Sequence, residues 1–273
     1  MDDITEGPVL VRRKGDLHFV TLNRPGRLNA IDAAMHEALI QLLPRVDRDT
    51  RTKVMIVTGA GRGFCSGGDI KIAEAKLRGE SVRTVWDDGQ GRVHPPGREL
   101  VDILLKLEKP SVAMVNGPAA GLGANLALFM DSVVMAEDAV IGDTHVTAGL
   151  VAGDGGAVIW PLLVGPSRAK EFLMTGRLLT GTEAQRIGLV ARSVPASELE
   201  TVTQQVAEEF ALLPAYAARA TKALVNKYTL MLATQLMDTS LAYEHISHDL
   251  PERSAAVSAF MSGRPDAAAA SAP

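Results

Sequence analysis

The sequence predicts an α/β core followed by a helical C-terminal layer, and three observations carry that prediction. KVMIVTG (53–59) and SVAMVNG (111–117) are continuous apolar runs of the kind buried on both faces of a parallel sheet. Each leads into a glycine-rich loop and then a helical pattern, so the first half contains the same cassette twice. After Gly165 the balance shifts toward helices, an order that belongs to a sheet core with helices added behind it.

Taken in order, VLVRRKGDLHFVTLN (9–23) reads as two strands around a Lys14-Gly15-Asp16 turn, because apolar and β-branched residues alternate on both sides of a turn signal. Pro25 and Gly26 then break the chain. Met35, Leu39, Leu42, Leu43 and Val46 recur at helical spacing behind Asp32, which suits an N-cap. The first cassette loop is AGRGFCSGGDI and the second PAAGLGANLALFMD; each ends at a helix start, where unpaired N–H groups and the helix dipole favour negative charge. SVVMA (132–136) and AVIG (139–142) are expected to continue the sheet. PSRAKEFLMTG and TGTEAQRIG follow as helices, then helical segments at 196–213 and 214–231, and two more to about Gly263. The domain division expected is a flexible tail at 1–8, a core at 9–195, a helical region at 196–263 and a frayed tail at 264–273.

Composition narrows the function classes. The net charge of −4 is mild and its basic residues are scattered, which argues against nucleic acid as a partner; aromatic residues at 4% leave few stacking platforms. No stretch approaches the roughly 20 apolar residues of a membrane span, and MDDITEGP lacks the regions of a signal peptide. One cysteine excludes an internal disulfide and fits a reducing compartment, so the expected location is cytoplasmic. The helical layer carries more apolar stripe than the core needs to cover, which points to self-association.

Several side chains compete for chemistry. Cys65, in GFCSGGDI, sits in a G-x-C-x-G setting, but a nucleophile elbow needs a strand running straight into the turn, and Gly59 to Arg62 intervene. A small buried apolar residue is the ordinary role of such a cysteine, and Ser66 shares its position. GAGRGF lacks the third glycine of a dinucleotide loop, and no G-K-[ST] follows either loop. His245 and His248 share a helix face without a further ligand, which leaves no metal site, and Trp86 and Trp160 read as packing residues. The two loops with amides at helix starts remain: two backbone donors are what a site needs when negative charge builds on a carbonyl oxygen.

The chain resembles the crotonase superfamily, the enoyl-CoA hydratase and isomerase family. The likeness runs through LNRPGRLNAID, KVMIVTGAGRGFCSGGDI, KPSVAMVNGPAAGLGANLALFMD and GLVAGDGGAVIWPLLVG to RAKEFLMTGRLLTGTEAQRIGLV, separated blocks in one order. It implies a ββα spiral core with a C-terminal helical trimerisation region, assembly as a trimer or hexamer, and an acyl-CoA or enoyl-CoA substrate whose coenzyme A is part of the substrate, with no other cofactor. It places the oxyanion-hole amides on Gly68 and Leu122, the latter a leucine where glycine is usual. It places acyl-CoA contacts on Gly68, Asp69, Ile70 and Lys71, the CoA-lining stretch on Arg27 and Ala30, and a C-terminal aromatic and basic pair on Phe260 and Arg264.

The departures define the question. The two hydratase glutamates fall on Asn125 and His145, and the further acid of dienoyl-CoA isomerases falls on Gly153, one residue before Asp154. Asn125 cannot take a proton at neutral pH, whereas His145 can; the bland alternatives are a structural histidine bonded to Asp143 and an Asp154 that caps the following helix. The resemblance therefore implies an acyl-CoA enzyme with a two-amide oxyanion hole, moving a proton with His145 or Asp154, and does not support two-glutamate hydration. The rival readings are a non-catalytic acyl-CoA binding protein on the same fold and a thioester hydrolase using Cys65 or Ser66. Acyl specificity would lie in the irregular segment from about Ile72 to Gly97.

Overall fold

In the computed structural model, which describes residues 3–80 and 96–262, β1 (Val9–Lys14) and β2 (Leu17–Leu22) form the antiparallel hairpin expected from their alternation, and Ile4 adds a bridge to Val11. A 3-10 turn over Pro25–Arg27 follows. Helix α1 (Ala33–Arg48) starts where Asp32 accepts a hydrogen bond from the Met35 amide at 2.9 Å, and it buries Met35, Leu39, Leu42, Leu43 and Val46. Strand β3 (Val54–Gly59) is buried along its whole length, as a central parallel strand must be.

The first glycine-rich loop ends in α2 (Ile70–Leu77), and α3 (Pro96–Lys106) precedes β4 (Ser111–Val115), the short β5 (Ala119–Ala120) and α4 (Leu122–Leu128). Next come β6 (Ser132–Ala136), β7 (Val140–Gly142), α5 (Gly156–Val164), α6 (Pro166–Thr175), β8 (Leu179–Thr180), α7 (Gly181–Arg186) and β9 (Arg192–Val194). The main sheet has the order β1-β2-β3-β4-β6-β9, parallel from β2 onward.

Two expectations change. AVIG does not continue the main sheet: β7 pairs with β5 and β8 in a second, three-stranded sheet. The turn at Glu137–Asp138 redirects the chain, and β7 pairs with β5, which lies within the second glycine-rich loop. After α8 (Leu199–Ala211), the segments expected as separate helices beyond 214 are one 34-residue helix, α9 (Ala215–His248), followed by α10 (Pro251–Met261). No proline or glycine interrupts 215–248, so nothing in the chain stops the helix before Pro251. No helix among the described residues is long and apolar enough to cross a membrane.

Candidate active site

The two glycine-rich loops lie side by side and in step. Phe64 and Cys65 donate their amides to the Pro118 carbonyl at 3.1 and 3.0 Å, Ala120 donates to the Cys65 carbonyl at 2.9 Å, and Cys65 and Ala119 form a parallel bridge. Gly68 and Leu122 each stand three residues beyond a bridged residue, so parallel pairing brings them to the same level. A Cβ built on Gly67 would stand 2.7 Å from the Ala120 carbonyl oxygen and 3.5 Å from Leu122 N, which shows how closely the strips approach. Gly68 is exposed, and no acceptor for its amide is found among the described residues; Leu122 begins α4 and has no intrahelical acceptor. Two such donors at one level can receive a carbonyl oxygen that gains charge.

The second sheet brings the titratable groups to this place. Gly121 donates to the Gly142 carbonyl at 3.0 Å, so the chain leaving β7 passes beside the second loop. There the His145 ring stands 3.4 Å, at Cε1, from where a Cβ on Gly121 would lie. His145 is the centre of a chain of buried groups. Its Nδ1 lies 2.5 Å from Asp143 Oδ1 and its Nε2 3.0 Å from Asp154 Oδ2. Asn125 Nδ2 donates to Asp154 Oδ1 at 2.8 Å and to Asp143 Oδ2 at 3.2 Å, and Asn125 Oδ1 accepts from Trp160 Nε1 at 3.1 Å. Asp143 lies against the start of α5, where a Cβ on Gly156 would fall 2.2 Å from its Oδ2.

The electrostatics follow from this packing. Burial opposes charge on His145, but the carboxylates of Asp143 and Asp154, one at each ring nitrogen, outweigh it and hold the imidazolium well above the ordinary value of 6.5. Burial likewise opposes ionisation of Asp143, and the His145 charge with the hydrogen bonds from His145 and Asn125 overcomes it, leaving Asp143 below the ordinary carboxylate range. With both ring nitrogens donating, His145 has no lone pair with which to take a proton. Asp143, His145 and Asp154 also bring three potential ligand atoms within 4.8 Å of one another. Those atoms are bonded to each other, with the imidazole between the carboxylates, which makes a proton-bearing chain and a poor ligand set.

The bland alternatives separate cleanly here. Asp154 does not cap α5, whose N-cap is Gly155 without a side-chain bond. Trp160 is buried, as a packing residue would be, and also fixes the Asn125 amide. Cys65 is fully buried, donates its thiol to the Asn29 carbonyl at 3.1 Å, and is pushed up to about 12 by burial, so it is no ready nucleophile. Ser66 Oγ donates to the Arg27 carbonyl at 3.4 Å with no base beside it among the described contacts. His248 is pushed down to about 4, chiefly by burial.

The two strips matched to CoA contacts meet through a parallel bridge between Ile31 and Gly68. Arg27 and Lys71 are exposed, Ala30 is buried and Ile70 half-buried; Lys71 pairs with Glu74 at 2.9 Å. Asp69 caps α2 through the Lys71 amide and accepts from Arg24 Nη2 at 3.0 Å, while Arg24 Nη1 reaches the Ala30 carbonyl, so Asp69 fastens the strip. Phe260 belongs to α10, but its side chain, Arg264, Trp86 and residues 81–95 of the expected acyl segment lie outside the described residues. A cavity of about 380 Å³ bordered by Ile4, Arg12, Phe19, Thr58, Met114 and Glu200 includes none of these residues.

Sequence reasoning missed one neighbour. Glu244, on α9, is buried and reaches Gly153: a Cβ built there would meet Glu244 Oε2 at 2.6 Å. A signal existed, because Glu244 shares a helical stripe with Ala233, Met237 and Leu241, where a glutamate has no reason to be unless it faces something polar.

Comparison with known proteins agrees with this architecture. The family described as Enoyl-CoA hydratase/isomerase matches residues 12–265. The 1,2-epoxyphenylacetyl-CoA isomerase of Escherichia coli is 35% identical over 251 residues, covering 90% of this chain and 92% of that protein. A probable mitochondrial enoyl-CoA hydratase of Dictyostelium discoideum is 33% identical over 218 residues, 78% of this chain and 73% of that one. Among solved structures, an enoyl-CoA hydratase/isomerase from Mycobacterium paratuberculosis superposes with a TM-score of 0.79 at 32% identity, covering 92% of this chain and 97% of the other. With the ββα core, the helical C-terminal region and these matches along nearly its whole length, the chain belongs to the enoyl-CoA hydratase/isomerase family of the crotonase superfamily.

Proposed function

We propose that the protein is an isomerase of acyl-CoA thioesters, shifting a proton from one carbon of the acyl chain to another through a thioester enolate. In this reading the amides of Gly68 and Leu122 hold the thioester oxygen and Asp154 is the base. His145, as an imidazolium between Asp143 and Asp154, fixes the direction of Asp154. The observation that carries the proposal is that each His145 nitrogen meets a carboxylate; the imidazolium has no lone pair for a proton, and of the two carboxylates Asp143 is fully buried, which leaves Asp154 as the base.

A one-base shift suits this set better than hydration. Hydration needs a water held between two groups that take and give its proton, and Asn125, at one of those positions, has its amide committed to Asp143, Asp154 and Trp160. The isomerase name of the Escherichia coli relative supports the same choice. We also propose that the exposed apolar stripe of α9 is covered by further copies of the chain, in a trimer or hexamer.

The test is to incubate the protein with a β,γ-unsaturated acyl-CoA in deuterated water, following formation of the conjugated thioester and deuterium uptake at the carbon next to the carbonyl. Asp154→Asn is expected to lower both by about 10²–10⁴-fold, the range for removing a general base. The proposal fails if neither isomerisation nor exchange occurs while water addition to an α,β-enoyl-CoA proceeds and survives Asp154→Asn.

A further inference from the structure

Three polar side chains interrupt the buried face of α9, and all three meet the loop that carries Asp154. Ser240 Oγ donates to the Gly153 carbonyl at 2.7 Å, Ser247 Oγ accepts from the Val151 amide at 3.3 Å, and Glu244 lies between them with its carboxyl group against Gly153. The two serines explain themselves as fasteners. Glu244 does not: it is 5% exposed, and its Oε2 is buried without a hydrogen-bond partner among the described residues. A carboxylate in that position would lack the donors that a buried charge requires, whereas a protonated carboxyl buries no charge.

We propose that Glu244 is a proton-holding residue of the site, an uncharged carboxylic acid lodged against Gly153, the residue before Asp154, that sets the charge against which the Asp143–His145–Asp154 chain works. It is a positioning residue and does not touch the reacting atoms. The proposal rests on the reading of Asp154 as base and adds what controls it.

The surroundings of Glu244 are consistent on every side. From the site loops it feels Asp154 and Asp143, which resist its ionisation, and His145, which favours it; from α10 it feels Arg253, whose Nη1 is occupied by the Ala148 carbonyl. Burial is the largest influence and Asp154 the next, and together they raise Glu244 to about 8. Below that pH the buried cluster holds two carboxylates around one imidazolium. Above it a third negative charge enters, tightens the hold of His145 on its protons and opposes an enolate on the neighbouring oxyanion donors, so turnover falls as Glu244 ionises.

Two readouts need no substrate. In protein labelled with 15N-histidine, the His145 ring resonances of the wild type should inflect near pH 8, and Glu244→Gln, which keeps shape and cannot ionise, should remove that inflection. The wild-type curve can be followed without any variant, so a poorly folding mutant does not block the test. A wild-type curve without the inflection, or one that persists in folded Glu244→Gln, overturns the proposal. With a turned-over acyl-CoA, the alkaline fall in kcat should shift upward by at least one pH unit in Glu244→Gln, and an unshifted limb also counts against it. If the inflection behaves as expected but no acyl-CoA is isomerised, the reaction assigned above fails and the protonation of Glu244 stands.

Discussion

Asn125 commits its whole amide to its neighbours: both Nδ2 hydrogens go to carboxylates and Oδ1 accepts from Trp160. Asn125→Asp would replace a double donor by an acceptor facing Asp143 and Asp154, and unpaired buried charge of this kind costs about 3–5 kcal/mol. Chemical denaturation should show a loss of that size, with a smaller one for Asn125→Ala, about 1–3 kcal/mol. Leu122 tests the backbone rather than a side chain. As the first residue of α4 it tolerates proline, which keeps the helix and removes the N–H, so Leu122→Pro should fold and lose about 10²–10³-fold in kcat. The ion pairs also give a pH dependence of stability. Asp143 is lowered, so its contribution is present above its ordinary value of 3.8 and is lost as pH falls through its folded value. His145 is raised, so its contribution is complete below 6.5 and is lost as pH rises through its own folded value. Thermal melts across pH should be flatter on the alkaline side in His145→Gln than in the wild type. At this scale the sequence named His145, Asn125 and Asp154 but not their arrangement. Which ring nitrogen meets which carboxylate depends on how β7 and α5 pack, and residue types do not encode that.

Among the elements, the two cassettes matter through the closeness of their backbones. A Cβ on Gly123 would lie 2.2 Å from the Cys65 carbonyl oxygen and 2.7 Å from Cys65 Cβ. Both obstacles belong to the first loop and neither is the free end of a flexible side chain, so Gly123→Ala must part the loops or strain them. It should destabilise the protein by more than about 3 kcal/mol and abolish turnover, whereas Gly68→Ala, with open space around its Cβ, should fold normally. Circular dichroism melts of the two variants compare a buried contact with an open one on the same loop pair. The cassettes themselves were legible because each combines a buried strand, glycines and a helix start within about 15 residues. The second sheet was not: β5 and β8 have two residues each, too few for a periodic signal, and β7 has three. The unbroken length of α9 was also missed, since its polar and apolar residues change face along the helix and look like several short stripes.

For the whole molecule, the long helix poses the remaining question of what covers it. Tyr216 is 86% exposed, Tyr228 70% and Leu224 61%, and with Met231 they fall on one side of α9, continuing from an 85% exposed Leu212 at the end of α8. A run of large apolar side chains along a helix is seldom left to water in a monomer, because covering it yields about 25 cal/mol for each Å² removed from solvent. The opposite face of α9 is already committed to the core and, through Ser240, Glu244 and Ser247, to the Asp154 loop. A partner seated on the exposed face would therefore brace the helix that holds the Asp154 loop. Sedimentation of the 28.9 kDa chain at micromolar concentration should give a mass of three or six copies. Tyr228→Asp with Leu224→Asp, both on the exposed face, should reduce the mass and lower the melting temperature in a way that depends on concentration for the wild type only. A wild type that sediments as one copy, with melting independent of concentration, would refute the assembly and leave the site to stand on its own packing.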